Sequence, residues 1–237
     1  MREFPELSGP VHEPLSGGPA RQLVILCHGV GSDGHDLIGL APYFAKVLPD
    51  AKFMAPNAPE KFDQAPFGYQ WFSLGDMSME NRLAGTKAAK PVLDDFIDEQ
   101  LAAHGLTERD LALVGFSQGA MVSLHTGLRR QHQLACIIGY SGMLVGEDIL
   151  FEEIKSRPPV LLIHGDADDV LPPENLDLAT NTLQSLGVVV RSEMRPGLGH
   201  GLDDHGIMMG MDFLAESFGV SLPDSAPVLD EKIDPIS

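Results

Sequence analysis

The chain has few cysteines, few basic residues for its many acidic ones, and no long apolar run. Only two of its 237 residues are cysteines, and we expect Cys27 and Cys136 to lie reduced and buried in strands. Lys and Arg number 16 against 34 Asp and Glu, which gives a net charge of −18. This charge disfavours nucleic acids and anionic membranes as partners, because binding to either requires positive charge. No stretch reaches the roughly 18 consecutive apolar residues of a membrane span, so we expect no stable membrane insertion.

The two ends of the chain differ in composition from its middle. Residues 1–5 lack the basic start and the apolar segment of a secretory signal peptide, which predicts a cytoplasmic location. We predict an irregular N-terminal arm over residues 1–20, with an edge strand as the alternative. Residues 21–220 are predicted to form a single domain, and residues 221–237, rich in proline and acidic residues, a flexible acidic tail.

Short apolar runs alternate with amphipathic runs through the middle of the chain. Strands are predicted at Leu23–Cys27, Lys52–Ala55, Leu111–Val114, Ala135–Gly139, Val160–Ile163 and Val188–Met194. Helices are predicted near Leu37–Val47, Arg82–Ala103, Gln118–Arg130, Pro173–Leu186 and Gly206–Phe218. Pro91 lies inside the second of these helices and predicts a kink or a break there. The alternation is typical of an α/β protein with a doubly wound, mostly parallel sheet and helices on both faces.

The most informative local pattern is Gly-Phe-Ser-Gln-Gly at residues 115–119. It lies between a predicted strand and a predicted helix, which is the context of a nucleophile elbow, so Ser117 is the candidate nucleophile. A hydroxyl becomes an effective nucleophile when a base takes its proton, and an acid must orient that base. On this architecture the acid and then the base follow the nucleophile along the chain.

Each candidate acid and base follows a predicted strand. His200 stands between two glycines after the last strand and is the candidate base, whereas His205 is expected to be a surface or helix-cap residue. The acid is one of Asp166, Asp168 and Asp169, which all follow the strand ending at residue 163. Asp166 is expected to brace the loop, and the sequence slightly favours Asp168 over Asp169. Each could instead cap the next helix, and that role is expected for at least one of them.

The reaction also requires N–H donors for a developing oxyanion. The Gln118 amide begins the helix after Ser117, where the helix dipole favours negative charge. The Val30 amide lies in the glycine-containing loop after the first predicted strand. His28 and His164 each follow an apolar run and precede a glycine, and we expect both to be structural.

Four motifs occur together in this order: His-Gly-Val-Gly at 28–31, Gly-Phe-Ser-Gln-Gly at 115–119, His-Gly-Asp-Ala-Asp at 164–168, and Gly-His at 199–200. They resemble the phospholipase/carboxylesterase family of α/β-hydrolases, which includes acyl-protein thioesterases. The likeness extends from about Gln22 to Phe218, and it also covers Ala55–Pro59 and Gln70–Phe72.

The resemblance implies an α/β-hydrolase fold in which Ser117 is the nucleophile, Asp168 the acid and His200 the base. Where the family usually has proline after the acid, this chain has Asp169, so a second carboxylate lies beside the acid. No insertion before the late strands is long enough for a large lid domain. The expected reaction is acyl transfer to water, and it requires no metal and no organic cofactor.

The segment Phe62–Met79 is rich in aromatic residues and methionines and includes the only tryptophan. We expect one or two of these residues to lie in the core and the segment to form part of an apolar wall near the cleft, with Trp71, Phe72 and Met143 as candidate substrate-binding residues. An apolar wall favours short to medium acyl esters or thioesters, and the acyl carrier could be a small molecule, a lysophospholipid or an acylated protein. The sequence leaves the oligomeric state open, with a homodimer as one candidate.

Two other functions are compatible with the same residues. One is a catalytically silent binding module of this fold, although such modules usually lose a residue of the triad. The other is an acyltransferase that passes the acyl group to an alcohol or amine in place of water.

Overall fold

The computed structural model describes residues 4–220, in which strands and helices alternate. The described strands are β1 (Val11–His12), β2 (Gln22–Cys27), β3 (Ala51–Met54), β4 (Glu60–Lys61), β5 (Tyr69–Gln70), β6 (Leu111–Phe116), β7 (Cys136–Tyr140), β8 (Val160–Gly165) and β9 (Val190–Arg195). The described α-helices are α1 (Gly34–Leu37), α2 (Ala41–Phe44), α3 (Met79–His104), α4 (Gln118–Leu128), α5 (Glu147–Glu153), α6 (Glu174–Ser185) and α7 (Asp204–Ser217). The predicted tail over residues 221–237 lies outside the described residues.

Seven of the described strands form one sheet in the order β1-β3-β2-β6-β7-β8-β9. Neighbouring strands from β3 to β9 are parallel, and β1 alone is antiparallel to its neighbour β3. The predicted doubly wound, mostly parallel sheet is therefore confirmed. Within residues 4–220, no large lid domain is inserted between the strands, and no helix is long and apolar enough to cross a membrane.

Helices cover both faces of the sheet because its central strands, β2, β6, β7 and β8, are apolar on both sides. In β2, Leu23 and Ile25 belong to one core cluster, and Val24 and Leu26 to the other, as the pleat of a strand requires. The first cluster includes residues of α3, α4 and α6, and the second includes residues of α1, α2 and α7. This burial on both faces explains why near-continuous apolar runs predicted the strands.

The segment before β2 forms the edge strand that was the alternative to an irregular arm. Val11 and His12 pair with β3, and the Pro10 carbonyl accepts a hydrogen bond from the Ala55 N–H at 3.0 Å. Leu7 is buried against the core. The described part of this segment therefore packs on the domain. Its only strand, β1, is two residues long, and turns follow it before β2.

The structure revises the helix predictions in three places. Of the kink or break predicted at Pro91, the break does not occur, because α3 runs from Met79 to His104 as one element with Pro91 inside it. The helix predicted at Leu37–Val47 begins earlier and is divided into α1, a 3₁₀ turn and α2, with Pro42 in the first turn of α2. Proline favours such a position because its fixed φ suits the first helical turn and it needs no N–H partner. The sequence pattern did not predict α5 (Glu147–Glu153).

The connections change direction between β2 and β6. From β2 the chain proceeds to β3 on one side, and from β6 it proceeds through β7 and β8 to β9 on the other. The two loops that leave these adjacent strands separate at this point, and open α/β sheets form their sites in the resulting crevice. Ser117 follows β6 directly and His28 follows β2, so both lie at this switch point.

Helix α4 approaches the ends of β2 and β6 so closely that two glycines are required. A Cβ atom at Gly119 would lie 1.9 Å from the Cys27 carbonyl oxygen, and one at Gly115 would lie 2.4 Å from the Gly119 carbonyl oxygen. Both obstacles are backbone atoms, which cannot move aside as a flexible side chain can. The two outer positions of the Gly-x-Ser-x-Gly pattern are therefore fixed by packing.

We predict that Gly119→Ala destabilises the protein, because its methyl group must displace the end of β2. Overpacking of this kind costs about 1–3 kcal/mol, which corresponds to a fall in Tm of roughly 2–12 °C for a chain of this size. Gly39→Ala is the matched control, because no atom lies within 4 Å of its added Cβ. Thermal unfolding followed by circular dichroism measures both variants, and equal Tm values for the two would contradict the packing argument.

Candidate active site

The backbone at Ser117 is held in a conformation that non-glycine residues rarely adopt. Its φ is 53° and its ψ is −116°. Its N–H donates to the Tyr140 carbonyl at 2.9 Å, and its carbonyl accepts from the N–H groups of Ala120 and Met121. These bonds to β7 and α4 offset the local strain, which is common at functional sites. The turn leaves the Ser117 side chain at the carboxyl edge of the sheet.

Three sequence-predicted residues meet above this turn. The Nε2 atom of His200 lies 2.9 Å from the Ser117 Oγ, and its Nδ1 lies 2.8 Å from the Asp168 Oδ2. A carboxylate only accepts hydrogen bonds, so Nδ1 carries the ring proton and Nε2 is left to accept the Ser117 hydroxyl proton. Ser117 and His200 are 83 positions apart in the sequence. The fold thus produces a continuous hydrogen-bonded chain of hydroxyl, imidazole and carboxylate.

The other candidates lie apart from this chain. Asp166 accepts a hydrogen bond from the Gly197 N–H at 2.6 Å, so it braces the loop as expected. Asp169 and His205 are exposed, and neither has a side-chain hydrogen bond within residues 4–220 to the residues of the triad. The structure therefore brings Asp168 to the imidazole and leaves its neighbouring carboxylate in solvent.

The Asp168 carboxylate is fully buried and is stabilised as an anion. Burial alone would raise its pKa, but hydrogen bonds from the Leu171 N–H, the His200 ring and the Val170 N–H outweigh burial and lower the pKa below its ordinary value. Its Oδ1 accepts both backbone N–H groups at 2.9 Å. The acid therefore remains ionised at neutral pH and keeps the imidazole oriented.

His164 is a second imidazole next to the same carboxylate. Its Nε2 lies 3.1 Å from the Asp168 Oδ2 and 3.0 Å from the Leu171 carbonyl oxygen. Both neighbours are acceptors, so this nitrogen carries a proton and donates to them. The sequence predicted a structural histidine, and this contact shows what it holds in place.

Two residues that the sequence reading missed support His200. Ser141 has a φ of 46°, and its Oγ donates to the Gly201 carbonyl at 3.1 Å, which ties the base-carrying loop to the end of β7. The Phe116 ring lies 5.0 Å from the His200 ring, measured between centroids. Ser141 follows a buried strand at the same edge of the sheet as Ser117, and this position was the available sequence signal.

The loop that carries Val30 is fixed beside the nucleophile. The Gly31 N–H donates to the Tyr69 carbonyl at 2.8 Å, and the Tyr69 N–H donates to the Ser32 carbonyl at 2.8 Å. A Cβ built on Gly29 would lie 3.4 Å from the Ser117 Cβ. The structure therefore places the loop of the first proposed oxyanion donor against Ser117. The second, the Gln118 N–H, begins α4, where the first N–H groups have no partner within the helix.

His28 is structural, as expected. Its Nδ1 donates to the Gly29 carbonyl at 2.7 Å, and its Nε2 accepts the Ala58 N–H at 2.9 Å. Burial lowers its pKa, and the Gly29 contact and nearby acidic residues offset this only in part. The neutral ring therefore links the loop after β2 to the segment after β3.

The Gln118 side chain has a role that the sequence reading missed. It is fully buried, its Oε1 accepts the Trp71 N–H at 2.8 Å, and its Nε2 donates to the Phe72 carbonyl at 2.8 Å. These two bonds attach the segment after β5 to the helix of the nucleophile. Since Trp71 of that segment also donates to the His28 carbonyl, the Gln118 side chain connects α4 to the loop of Val30.

The predicted contacts of Trp71 and Phe72 with substrate need correction. Their exposed fractions are 1% and 4%, so both rings lie in the core. The indole Nε1 of Trp71 donates to the His28 carbonyl at 3.0 Å, which supports the loop of Val30. The apolar residues that do face solvent in the segment Phe62–Met79 are Phe67, Met77 and Met79.

Met143 lines a narrow apolar cavity behind the site. Ala120, Leu124 and Leu162 also line it, as does Gly142, where an added Cβ would lie 3.5 Å from the Ser117 carbonyl oxygen. Within residues 4–220, no group of three or more His, Cys, Asp and Glu side chains is arranged to hold a metal ion.

Comparison with known proteins gives sequence relatives over most of the chain. A profile of the family described as Phospholipase/Carboxylesterase matches residues 15–218. Esterase YpfH of Escherichia coli (strain K12) is 29% identical over 196 residues, which cover 83% of this chain and 83% of that protein. Acyl-protein thioesterase 1 of Gibberella zeae is 28% identical over 194 residues, which cover 75% of this chain and 82% of that protein.

Solved structures are similar over the same range. Esterase PE8 superposes with a TM-score of 0.86 at 46% sequence identity, and the match covers 89% of this chain and 99% of that one. Acyl-protein thioesterase 2 of Zea mays shares the fold, with a TM-score of 0.64 at 21% identity over 91% of this chain and 100% of that one.

We predict that the His200 Nδ1 proton gives a downfield imidazole resonance in proton NMR, because it is held between the ring and an ionised carboxylate. Asp168→Asn should abolish this resonance or move it upfield, since the amide is a weaker acceptor. Asp169→Asn is the matched control and should leave the resonance unchanged. The opposite pattern, with loss in Asp169→Asn alone, would assign the acid to Asp169.

Proposed function

The chain belongs to the phospholipase/carboxylesterase family of α/β-hydrolases and is a serine hydrolase, and from this premise we propose that it hydrolyses carboxylic esters or thioesters through an acyl-enzyme on Ser117. The observation that carries this proposal is the chain of contacts from the Ser117 Oγ through His200 to Asp168, at 2.9 and 2.8 Å. No cofactor and no metal ion take part in the proposed reaction.

In the first half of the reaction, the Ser117 Oγ attacks the carbonyl carbon of the substrate. His200 Nε2 takes the hydroxyl proton as the new C–O bond forms, and the ionised Asp168 stabilises the imidazolium that results. The tetrahedral intermediate places its oxyanion near the N–H groups of Val30 and Gln118. Removing one such donor from comparable sites costs about 10²–10³-fold in turnover.

The intermediate then collapses and expels the alcohol or thiol. His200 gives its proton to this leaving group, and the acyl group remains as an ester on Ser117. A water molecule gives a proton to the same imidazole and attacks the acyl-enzyme, and His200 then returns the proton to Ser117 as the carboxylic acid leaves. In each half-reaction His200 accepts one proton and gives one up, first to the leaving group and then to Ser117. The site therefore ends the cycle in its starting protonation state.

The proposed substrates are short to medium acyl esters or thioesters. Met143 and its apolar neighbours lie behind Ser117, but the space between them measures only about 10 Å³ and does not hold an acyl chain. The exposed Phe67 belongs to the same hairpin as Gly68, which packs against Gly31 of the Val30 loop. We therefore propose the exposed Phe67 as an apolar contact, in place of the buried Trp71, Phe72 and Met143. Lysophospholipids and acylated proteins remain candidate substrates; the description of the family suggests the former, and the name of the thioesterase relative suggests the latter.

A cytoplasmic location remains part of the proposal. Cys27 and Cys136 are free, and both are buried in the core. Burial raises the pKa of each thiol to about 12, so neither forms a reactive thiolate at neutral pH. Two unpaired thiols suit a reducing compartment.

We predict that a fluorophosphonate probe labels one residue, Ser117, and that Ser117→Ala abolishes labelling. The same variant and His200→Ala should lose about 10⁶-fold in the kcat of ester hydrolysis, because nucleophile and base act as one unit. Asp168→Asn should lose about 10⁴-fold, and Asp169→Asn, its matched control, should remain close to wild type. A panel of p-nitrophenyl esters and acyl thioesters of graded chain length provides the rates.

The outcomes separate the competing functions. Failure of the wild-type protein to label or to turn over any ester would identify a silent binding module. Transfer of the acyl group to an added alcohol or amine, in preference to water, would identify an acyltransferase. A nearly normal Asp168→Asn together with an inactive Asp169→Asn would reassign the acid.

We predict that Trp71→Phe lowers kcat for every chain length by a similar factor. The substitution keeps an aromatic ring in the core but removes the N–H that holds the His28 carbonyl, so the loop of Val30 loses support. The loss should be about tenfold, the effect of one net hydrogen bond of about 1.4 kcal/mol. Phe67→Ala is the contrasting surface variant and should change the chain-length profile. A chain-length-selective effect of Trp71→Phe would restore its assignment as a substrate contact.

A further inference from the structure

A second cavity, of about 420 Å³, lies at the opposite end of α4 from Ser117. Its walls come from α3, from the end of α4 and from the segment around α5, and no residue of the triad lines it. Helix α4 has 11 residues, so at ~1.5 Å per residue the cavity is roughly 16 Å from the nucleophile. It is therefore a site separate from the one described above, and nothing in the hydrolytic mechanism uses it.

This cavity collects positive charge in a strongly acidic protein. Four cationic side chains and two carboxylates line it: Lys87, Lys90, Arg129, Lys155, Glu152 and Glu153. The whole chain has a net charge of −18 and only 16 Lys and Arg. An excess of cations around one cavity is therefore opposite in sign to the charge of the protein as a whole. A locally positive concave surface attracts anions even when the rest of the surface repels them.

Arg129 is buried here with part of its hydrogen-bonding capacity unused. Only 5% of the side chain is exposed, its Nε donates to the Glu153 Oε2 at 2.7 Å, and its Nη1 donates to the His125 carbonyl at 3.3 Å. Its buried Nη2 has no partner within the described part of the chain. Burial lowers the pKa of this guanidinium, and the contact with Glu153 offsets that effect only partly. An unpaired buried donor on a charged group is costly, so an acceptor at this position would be stabilising.

His125 adds a second unsatisfied nitrogen to the same wall. Its exposed fraction is 2%, and its Nδ1 has no hydrogen-bond partner among residues 4–220. Burial, assisted by the charge of Arg129, lowers its pKa to about 3, so the ring is neutral at physiological pH. A hydrogen bond to the Val145 backbone opposes this shift in part. Since the neutral ring donates there through its other nitrogen, Nδ1 is an acceptor and adds no donor to the cavity.

The lysines are arranged so that one remains available to a ligand. Lys87 shares Glu153 with Arg129, at 3.2 Å, and Lys90 pairs with Asp94. Lys155 is exposed at the rim and has no ion-pair partner among residues 4–220. The carboxylates of Glu152 and Glu153 therefore do not neutralise all of the cations.

We propose that this cavity binds a phosphate group, either as inorganic phosphate or on a small organic phosphate. The guanidinium of Arg129 has one nitrogen without a partner within residues 4–220, Nη2, that can donate to a phosphate oxygen, and the lysines supply further charge. The C-terminal end of α4 carries a partial negative charge of about half an elementary charge, which opposes anion binding but is smaller than the excess of side-chain cations. The volume of the cavity lies within the usual range for small-molecule sites.

The test is calorimetric titration of the full chain with sodium phosphate and, separately, with glycerol phosphate, at constant ionic strength maintained with sodium chloride. The wild type should bind one equivalent of at least one of the two ligands. Lys155→Ala and Lys87→Ala, both at exposed positions, should each weaken binding by about tenfold, the loss expected for one hydrogen bond to a charged group. Lys46→Ala, an exposed lysine on the opposite face of the sheet, is the control and should bind as the wild type does. Arg129→Lys retains the charge but loses the unpaired Nη2 donor, and it should also weaken binding.

The same titrations contain the results that overturn the proposal. They are the absence of saturable binding of either ligand, or equal affinity in the wild type, Lys87→Ala and Lys155→Ala. Loss of phosphate binding in Ser117→Ala would place the ligand at the catalytic residues and would also overturn it. Tighter binding of glycerol phosphate than of inorganic phosphate would support an organic phosphate as the ligand, and the reverse would support the free anion. The proposal is independent of the hydrolytic function, because it is measured as binding.

Discussion

The left-handed backbone at Ser117, with φ 53°, is the constraint on which the rest of the active site depends. It directs the Oγ away from the sheet and to within 2.9 Å of His200 Nε2. The turn is possible because Gly115 and Gly119 have no Cβ, since a methyl group at either would collide with backbone. The strands on both sides of it are buried on both faces, so the surrounding packing prevents the strained turn from relaxing.

The sequence predicted the sheet and the meeting of Ser117 and His200, because these features depend on strongly patterned signals. The pattern only slightly favoured Asp168 over Asp169 as the acid, and the family resemblance implied Asp168. A parallel strand buried on both faces is a continuous apolar run, and residues that follow such strands converge at one edge of the sheet. The sequence predicted that one or two aromatic residues of the segment Phe62–Met79 lie in the core, but it could not predict that Trp71 and Phe72 are the ones. An aromatic residue in a loop fits a ligand wall and a protein core equally well until the three-dimensional packing is known. Of the kink or break predicted at Pro91, the break does not occur, since tertiary packing outweighs a local preference.

The side-chain hydrogen bonds that hold the site were also beyond prediction, because each joins residues that are distant in the sequence. Gln118 reaches the segment after β5, Ser141 reaches the loop of His200, and the Trp71 indole reaches the end of β2. A periodic pattern carries no information about such pairs. The charged cavity at the far end of α4 could not be predicted either, because Lys87 and Lys155 come together only in the folded chain. One helix thus carries the nucleophile at its start and the proposed phosphate site at its end.

The central claim is that an acyl group is carried covalently by Ser117, and trapping that intermediate tests it most directly. Rapid mixing of the protein with p-nitrophenyl acetate should release a burst of about one equivalent of p-nitrophenol when deacylation is the slower step. Acid quenching followed by peptide mass spectrometry should then find one acetyl group, on the peptide that contains Ser117. Turnover without an acyl-enzyme under any quench time, or an acetyl group that accumulates on another residue while Ser117→Ala remains active, would contradict the account.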